Sequence, residues 1–166
     1  TRVVTLYFSQ NRTSRFSDPT DEFGVLYAAD EFAGAFIETF GRNLGLRSVT
    51  VSSLTATSVA VLRADPTYII DLASSGGAAR LSADTRLMSG ALVVAQRWSR
   101  ALWEHPVQAD GLYYRLRHDP EQCACALFDR AAHAITADRQ GAVSAPRHRE
   151  DLTAALDRYG FGLIPE

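Results

Sequence analysis

Residues 11–41 constrain the fold more than any other part of this chain. They set Arg15-Phe16 in a polar segment, then a short apolar run at 24–28, GVLYA, then a segment rich in Phe. There Phe32, Phe36 and Phe40 recur four residues apart with Ala33 and Ile37 beside them, so one stripe of a helix must face a core. A buried strand leading into an amphipathic helix is the reading. Asp30 is placed to cap that helix, with Glu31 in its first turn. Gly41, Asn43 and Gly45 offer ends for a helix reaching about Arg42. Glu38 lies off the apolar stripe, above Gly34 and near Ala35, and these small residues predict open space beside its carboxylate.

The rest of the chain supplies the partners. Residues 3–8 read as a strand, 9–14 as loop, and Asp18-Pro19 as a turn. Residues 47–51 and 68–72 read as strands, 52–63 as helix in preference to strand, and 78–83 as a short helix. Residues 91–104 predict a second amphipathic helix, with Ala91, Val94, Ala95, Trp98 and Leu102 on its inner face. Strands follow at 112–116 and 123–128, joined through Asp119-Pro120, and a further one at 132–136. Residues 149–159 form a C-terminal helix that buries Leu152, Leu156 and Tyr159 and stops at Gly160. Strands and helices interspersed without regular alternation imply an α+β fold with a mixed or mainly antiparallel central sheet. No repeat or linker divides residues 1–166, a length that suits a single domain.

Composition excludes several classes. A net charge of −2 gives no electrostatic reason for direct nucleic-acid or membrane binding. No apolar run approaches the roughly 20 residues that span a bilayer. All 17 basic residues are Arg, as a GC-rich genome would supply. Cys123 and Cys125 are expected on opposite faces of a strand, unable to pair or to share a metal, which suits a reduced, cytoplasmic protein. No secretory leader is expected from these residues, and with Thr1 in place of Met the start is expected to be trimmed. His105, His118, His133 and His148 lack zinc-binding spacing, so no metal is expected. No G-x-S-x-G elbow is present. Ser75-Gly76-Gly77 fits a strand-to-helix turn better than a phosphate cradle, since neither nucleotide fingerprint accompanies it. Taken singly, Arg15 reads as a solvated arginine, Tyr27 as a core aromatic and Glu38 as an exposed helix residue. Their order is what sets them apart.

Ser14-Arg15-Phe16, Leu26-Tyr27-Ala28-Ala29 and Ala35-Phe36-Ile37-Glu38 are followed by Tyr114-Arg115-Leu116-Arg117-His118 and Ala126-Leu127-Phe128. In this order they resemble the RES domain family, whose elements run G-R-[FW], L-Y-x-A, A-x-x-E, Y-x-S-R-H and A-L-F; Gln96-Arg97-Trp98 fits it as well. The resemblance spans about residues 8–130. It departs at Ser14, where the family often has Gly, at the missing N-terminal Y-R-I strand, and at Leu116, which takes the place of the family's serine. Leucine offers no hydrogen bond, which suits either a weakened natural member or a chain altered to be harmless.

The resemblance implies an ADP-ribosyltransferase-like fold and a bacterial, cytoplasmic toxin of a RES–Xre toxin–antitoxin pair. Such a protein consumes NAD as its substrate, by hydrolysis or phosphorolysis of the nicotinamide–ribose bond, without a metal. By the same resemblance Arg15 holds the pyrophosphate and Tyr27 packs against the nicotinamide or its ribose. Glu38 stabilises the positive charge developing on that ribose, and Arg117 and His118, beside Leu116, meet the cofactor's polar groups. Two other readings accompany it. One is ADP-ribosyl transfer to a cellular protein. The other is a catalytically weakened RES fold kept as a partner for a helix-turn-helix Xre-type antitoxin, with a homo-oligomer in that complex compatible with it.

Overall fold

The computed structural model describes residues 5–43, 45–65, 67–82 and 86–165. Its elements are β1 (Val25–Ala29), α1 (Phe32–Phe40), β2 (Ser48–Thr50), α2 (Val51–Ala56), β3 (Ser58–Ala64), β4 (Ile69–Asp71), α3 (Gly77–Arg80), α4 (Arg86–Ser89), α5 (Leu92–Glu104), β5 (Gly111–Arg115), β6 (Cys123–Phe128), β7 (Ile135–Ala142), α6 (Arg149–Tyr159) and β8 (Gly162–Ile164). The central sheet has four strands in the order β1-β6-β5-β4. β6 runs antiparallel to both β1 and β5, and β4 joins β5 in parallel. Parallel β2–β8 and antiparallel β3–β7 form two smaller pairs. The architecture is the expected single α+β domain with a mixed, mainly antiparallel sheet.

Register decides what the sheet can display. Tyr27 lies opposite Ala126, which lies opposite Leu112, and Ala29 opposite Ala124, which lies opposite Tyr114. Alternate positions share a face, so these side chains point the same way. Because β6 contributes only alanines there, a trough about two strand spacings wide, roughly 10 Å, separates the two tyrosines. Phe16, Phe23 and the inner side of α5 cover one stretch of this face, in a cluster with Val25, Leu112, Ala126 and Phe128. At the other end α1 and α6 enclose Phe36, Ile37, Leu116, Ala124, Ala155 and Phe161. Each large side chain so buried contributes about 1.5–3 kcal/mol.

α1 packs by the stripe its spacing predicted. Phe36 and Ile37 are buried, and Phe32 and Phe40 lean half-buried on the same cluster. Gly34 is buried too: a Cβ there would stand 3.1 Å from Leu116 Cδ1, 3.1 Å from Ala29 Cβ and 3.3 Å from Gln122 Oε1. The open space expected at Gly34 is therefore filled; this glycine lets the helix approach the sheet. The helix stops at Phe40, short of Arg42, where the Gly41 amide donates to the Ile37 carbonyl at 2.8 Å. Asp30 does not cap it. The N-cap position is Glu31, with no side-chain cap. Asp30 instead accepts from the Tyr113 hydroxyl, and Glu31 accepts from Gln122 Nε2 at 3.2 Å, so partners from β5 and from the turn before β6 displace the local cap.

Other expectations shift for physical reasons. Residues 5–8 form no strand, a single bridge joins Ser9 to Val25, and Val3 and Val4 lie outside the described residues. The helix expected at 52–63 is only α2, capped by Thr50 Oγ1, which accepts from the Ser53 amide at 3.1 Å; the rest is β3, held by β7. Residues 47–51 narrow to β2, whose partner β8 was not foreseen. The strand expected at 132–136 begins as a 3-10 turn and becomes β7 only at Ile135. α3 spans four residues, and Ala83 lies outside the described ones. Ala95 and Leu102 of α5 are buried and Trp98 half-buried as expected, but Ala91 and Val94 are exposed, and Gln96 and Ser99 are buried in their place. In α6 Ala155 is buried, and Leu152, Leu156 and Tyr159 are half-buried. Cys123 and Cys125, two apart on β6, share a face, because the strand period is two, and both thiols are free. Among the described residues no helix is long and apolar enough to cross a membrane.

Candidate active site

Arg15 sits in an irregular loop that α5 and β1 hold from both sides. Gln96 Nε2 donates to the carbonyls of Arg12 at 2.7 Å and Ser14 at 3.1 Å, and Ser99 Oγ donates to that of Phe16 at 2.7 Å. The Tyr27 hydroxyl accepts from the Phe16 amide at 3.0 Å. Tyr27 thus pins the peptide that follows Arg15. Burial pushes its phenol up, against the pull of the Phe16 amide. Downstream, the buried Asp18 carboxylate accepts from the amides of Thr20 and Glu22 and from Arg100 on α5. Burial alone would raise this carboxyl, but the donors outweigh it and hold it below the ordinary value.

The Arg15 side chain is itself oriented. Its Nη1 donates to the carbonyls of Leu87 at 3.3 Å and Gly90 at 3.1 Å, at the junction of α4 and α5. Nε and Nη2 have no partner among the described residues, and that edge is the fork which meets carboxylate or phosphate oxygens in parallel. Burial, then the Arg117 charge, lowers the Arg15 guanidinium from its ordinary value, while Tyr114, Tyr27 and Glu38 oppose the shift. An arginine stays charged at neutral pH all the same. Arg117 is exposed two residues past the end of β5, and neither it nor Arg15 is ion-paired among the described residues. Two such guanidiniums within electrostatic reach favour an anion between them.

Glu38 is half-buried on α1. It lines one cleft of about 1270 Å3 with Arg15, Tyr27, Tyr114, Leu116, Arg117 and His118. The cleft is open and wraps past the β1 edge to Leu26 and Cys125 on the opposite face, so the trough is only part of it. Glu38 and Arg15 form no ion pair, and the carboxylate has no hydrogen bond among the described residues. Its charge nonetheless reaches Arg15 and Tyr114. An arginine and a glutamate that face one cleft unpaired leave room for a ligand between them.

The residues named from the sequence therefore gather, with one exception in kind. Arg15, Tyr27, Glu38, Arg117 and the half-buried His118 border the cleft with polar groups. Leu116 borders it as a core side chain, 2% exposed and packed under Gly34. Three contributors went unassigned. Gln96 and Ser99 anchor the Arg15 loop, and a polar pair one turn apart on the inner side of an amphipathic helix is the signal that marks them. Tyr114 stands across the trough from Tyr27, its ring edge-on to Phe16 at 4.8 Å between centroids. Among the described residues no group of three His, Cys, Asp or Glu is arranged to hold a metal ion.

The family model for the RES domain matches residues 7–153. No curated protein and no solved structure matches the chain.

Proposed function

The chain belongs to the RES domain family, and from that premise we propose that it consumes NAD by breaking the nicotinamide–ribose bond. Membership is consistent with use of NAD. The observation that carries the reading is the convergence of an unpaired arginine fork and an unpaired carboxylate on one cleft.

In this reading the pyrophosphate lies on the Nε–Nη2 edge of Arg15, with Arg117 and His118 meeting further polar groups of the dinucleotide. Tyr27 keeps the Arg15 loop in place and sets its ring beside the nicotinamide ribose. The bond from the ribose anomeric carbon to the ring nitrogen breaks, and its electron pair leaves with neutral nicotinamide. The positive charge left on the anomeric carbon and ring oxygen is stabilised by Glu38, as in other oxocarbenium-like transition states. An acceptor oxygen from water or phosphate then bonds to that carbon, and its proton passes to Glu38 or to solvent. The family likeness extends the reading to an ADP-ribosyltransferase-like fold and to a toxin of the bacterial cytoplasm silenced by an Xre-type antitoxin. Transfer of ADP-ribose to a protein uses the same bond cleavage, and would appear as a mass addition on the target in place of free ADP-ribose.

One observation favours a second reading. With Leu116 packed into the core, the chain presents no hydroxyl just past the end of β5, as a weakened enzyme retained to bind an antitoxin would. Tight antitoxin binding without measurable NAD binding by calorimetry would select this reading. Nicotinamide release followed by chromatography tests the first. Glu38→Gln should slow release about a hundredfold or more, the usual cost of one electrostatic stabiliser. Equal rates would remove Glu38 from the mechanism.

A further inference from the structure

We propose that Tyr114 recognises a ribose hydroxyl of the bound dinucleotide, donating its phenolic hydrogen to that hydroxyl beside Glu38. The inference deepens the NAD reading of the same cleft and rests on it.

β5 turns Leu112 and Tyr114 to the trough, with Leu116 following just past its end, and of the three only the tyrosine is polar. Its ring is held edge-on by Phe16 at 4.8 Å, and Phe16 is itself fixed through its carbonyl by Ser99 and through its amide by Tyr27. Tyr114 is therefore rigid at the ring and free at the oxygen. The hydroxyl has no hydrogen-bond partner among the described residues and is not among the sealed, unsatisfied polar atoms. The Tyr27 oxygen, by contrast, is tied to the Phe16 amide. Tyr114 is within electrostatic reach of Glu38 and Tyr27, the groups proposed to flank the nicotinamide ribose, and of Arg15, proposed to hold the adjoining pyrophosphate.

The chemistry of the pair narrows the ligand group. An ionised carboxylate only accepts hydrogen bonds, and a neutral phenol can donate. A group bridging Glu38 and Tyr114 must then donate to the first and accept from the second, as a ribose hydroxyl does and a phosphate oxygen does not. Burial keeps the phenol neutral well beyond neutral pH. Leu116 offers no hydroxyl, and Tyr27, though its hydroxyl keeps a hydrogen to donate, is held at the Arg15 loop by the Phe16 amide. Tyr114 is the phenol within electrostatic reach of Glu38.

The test compares wild type, Tyr114→Phe and Glu38→Gln. Binding of NAD and of its nicotinamide-ribose 2′-deoxy and 3′-deoxy analogues is measured by calorimetry, with nicotinamide release in parallel. Phenylalanine keeps the ring contact with Phe16, and an unchanged melting temperature checks that the variant is folded. The expected result is about a tenfold weaker affinity of Tyr114→Phe for NAD, the usual weight of one hydrogen bond, and no difference from wild type for the analogue lacking the recognised hydroxyl. Equal affinity of wild type and Tyr114→Phe for NAD overturns the inference, as does an equal loss on NAD and both analogues. If wild type binds NAD and Glu38→Gln stops release while Tyr114→Phe changes neither, only the Tyr114 role falls. If wild type binds no NAD, the cleft reading and the Tyr114 role fall together.

Discussion

Position 116 shows how one side chain can belong to a motif and to a core at once. Leu116 fills the contact beneath Gly34, and Gln122 Oε1, buried without a hydrogen-bond partner, faces the same contact. The leucine thus gains apolar burial and leaves an acceptor unsatisfied. Leu116→Ala should cost about 2–5 kcal/mol. Leu116→Ser should cost about 1–3 kcal/mol less than the alanine variant, because its hydroxyl can donate to Gln122. Urea midpoints of both variants check this, and equal stability would mean that the serine makes no such bond. Tyr27 shows the same doubling, since its ring borders the cleft while its oxygen holds the Phe16 amide. The sequence marked both positions. It did not reveal that one is packed and the other a pin, because those properties come from neighbours distant in the chain.

Among the elements, two carboxylates act as fasteners. Asp18 ties α5 to the loop behind Arg15 through Arg100. Asp119 ties α6 to the β5–β6 turn, accepting from Arg158 at 2.8 Å and from the Tyr159 hydroxyl at 2.8 Å. Burial would raise both carboxyls, but their donors hold both below the ordinary value. A depressed folded value means that the stabilisation is complete above about pH 4, where an unfolded Asp is ionised, and is lost as pH falls further. Melting by calorimetry should therefore show a Tm that declines below about pH 4. Asp119→Asn should be less stable near neutrality and lose less on acidification; an acid slope as steep as that of wild type would exclude Asp119 from this role. Legibility followed the same line between local and distant causes. α1 and the strands β1, β5 and β6 were readable because each has a regular apolar pattern or a continuous buried run. β3 and β8 were obscure because they are largely exposed, and β7 because its burial follows no regular alternation, so no period marks an inner face. The inner face of α5 was read correctly at Ala95, Trp98 and Leu102 but not at Gln96 and Ser99, buried side chains that serve loop carbonyls.

For the molecule as a whole, the sheet register sets two tyrosines either side of an alanine floor, α5 fixes the arginine loop, and α1 brings the glutamate to the same cleft. The gathering of Arg15, Tyr27 and Glu38 was foreseen from motif order. The carbonyls of Leu87 and Gly90 that orient the guanidinium were not, since a backbone acceptor leaves no mark in sequence. The account stands on that guanidinium and the carboxylate serving one ligand. Titrating NAD into Glu38→Gln, which should bind while turning over about a hundredfold or more slowly, and into Glu38→Gln/Arg15→Ala puts this to a direct calorimetric test. The account predicts that removing Arg15 weakens binding about ten- to hundredfold, as loss of a charged hydrogen-bonding fork should; equal affinity in the two variants would contradict it.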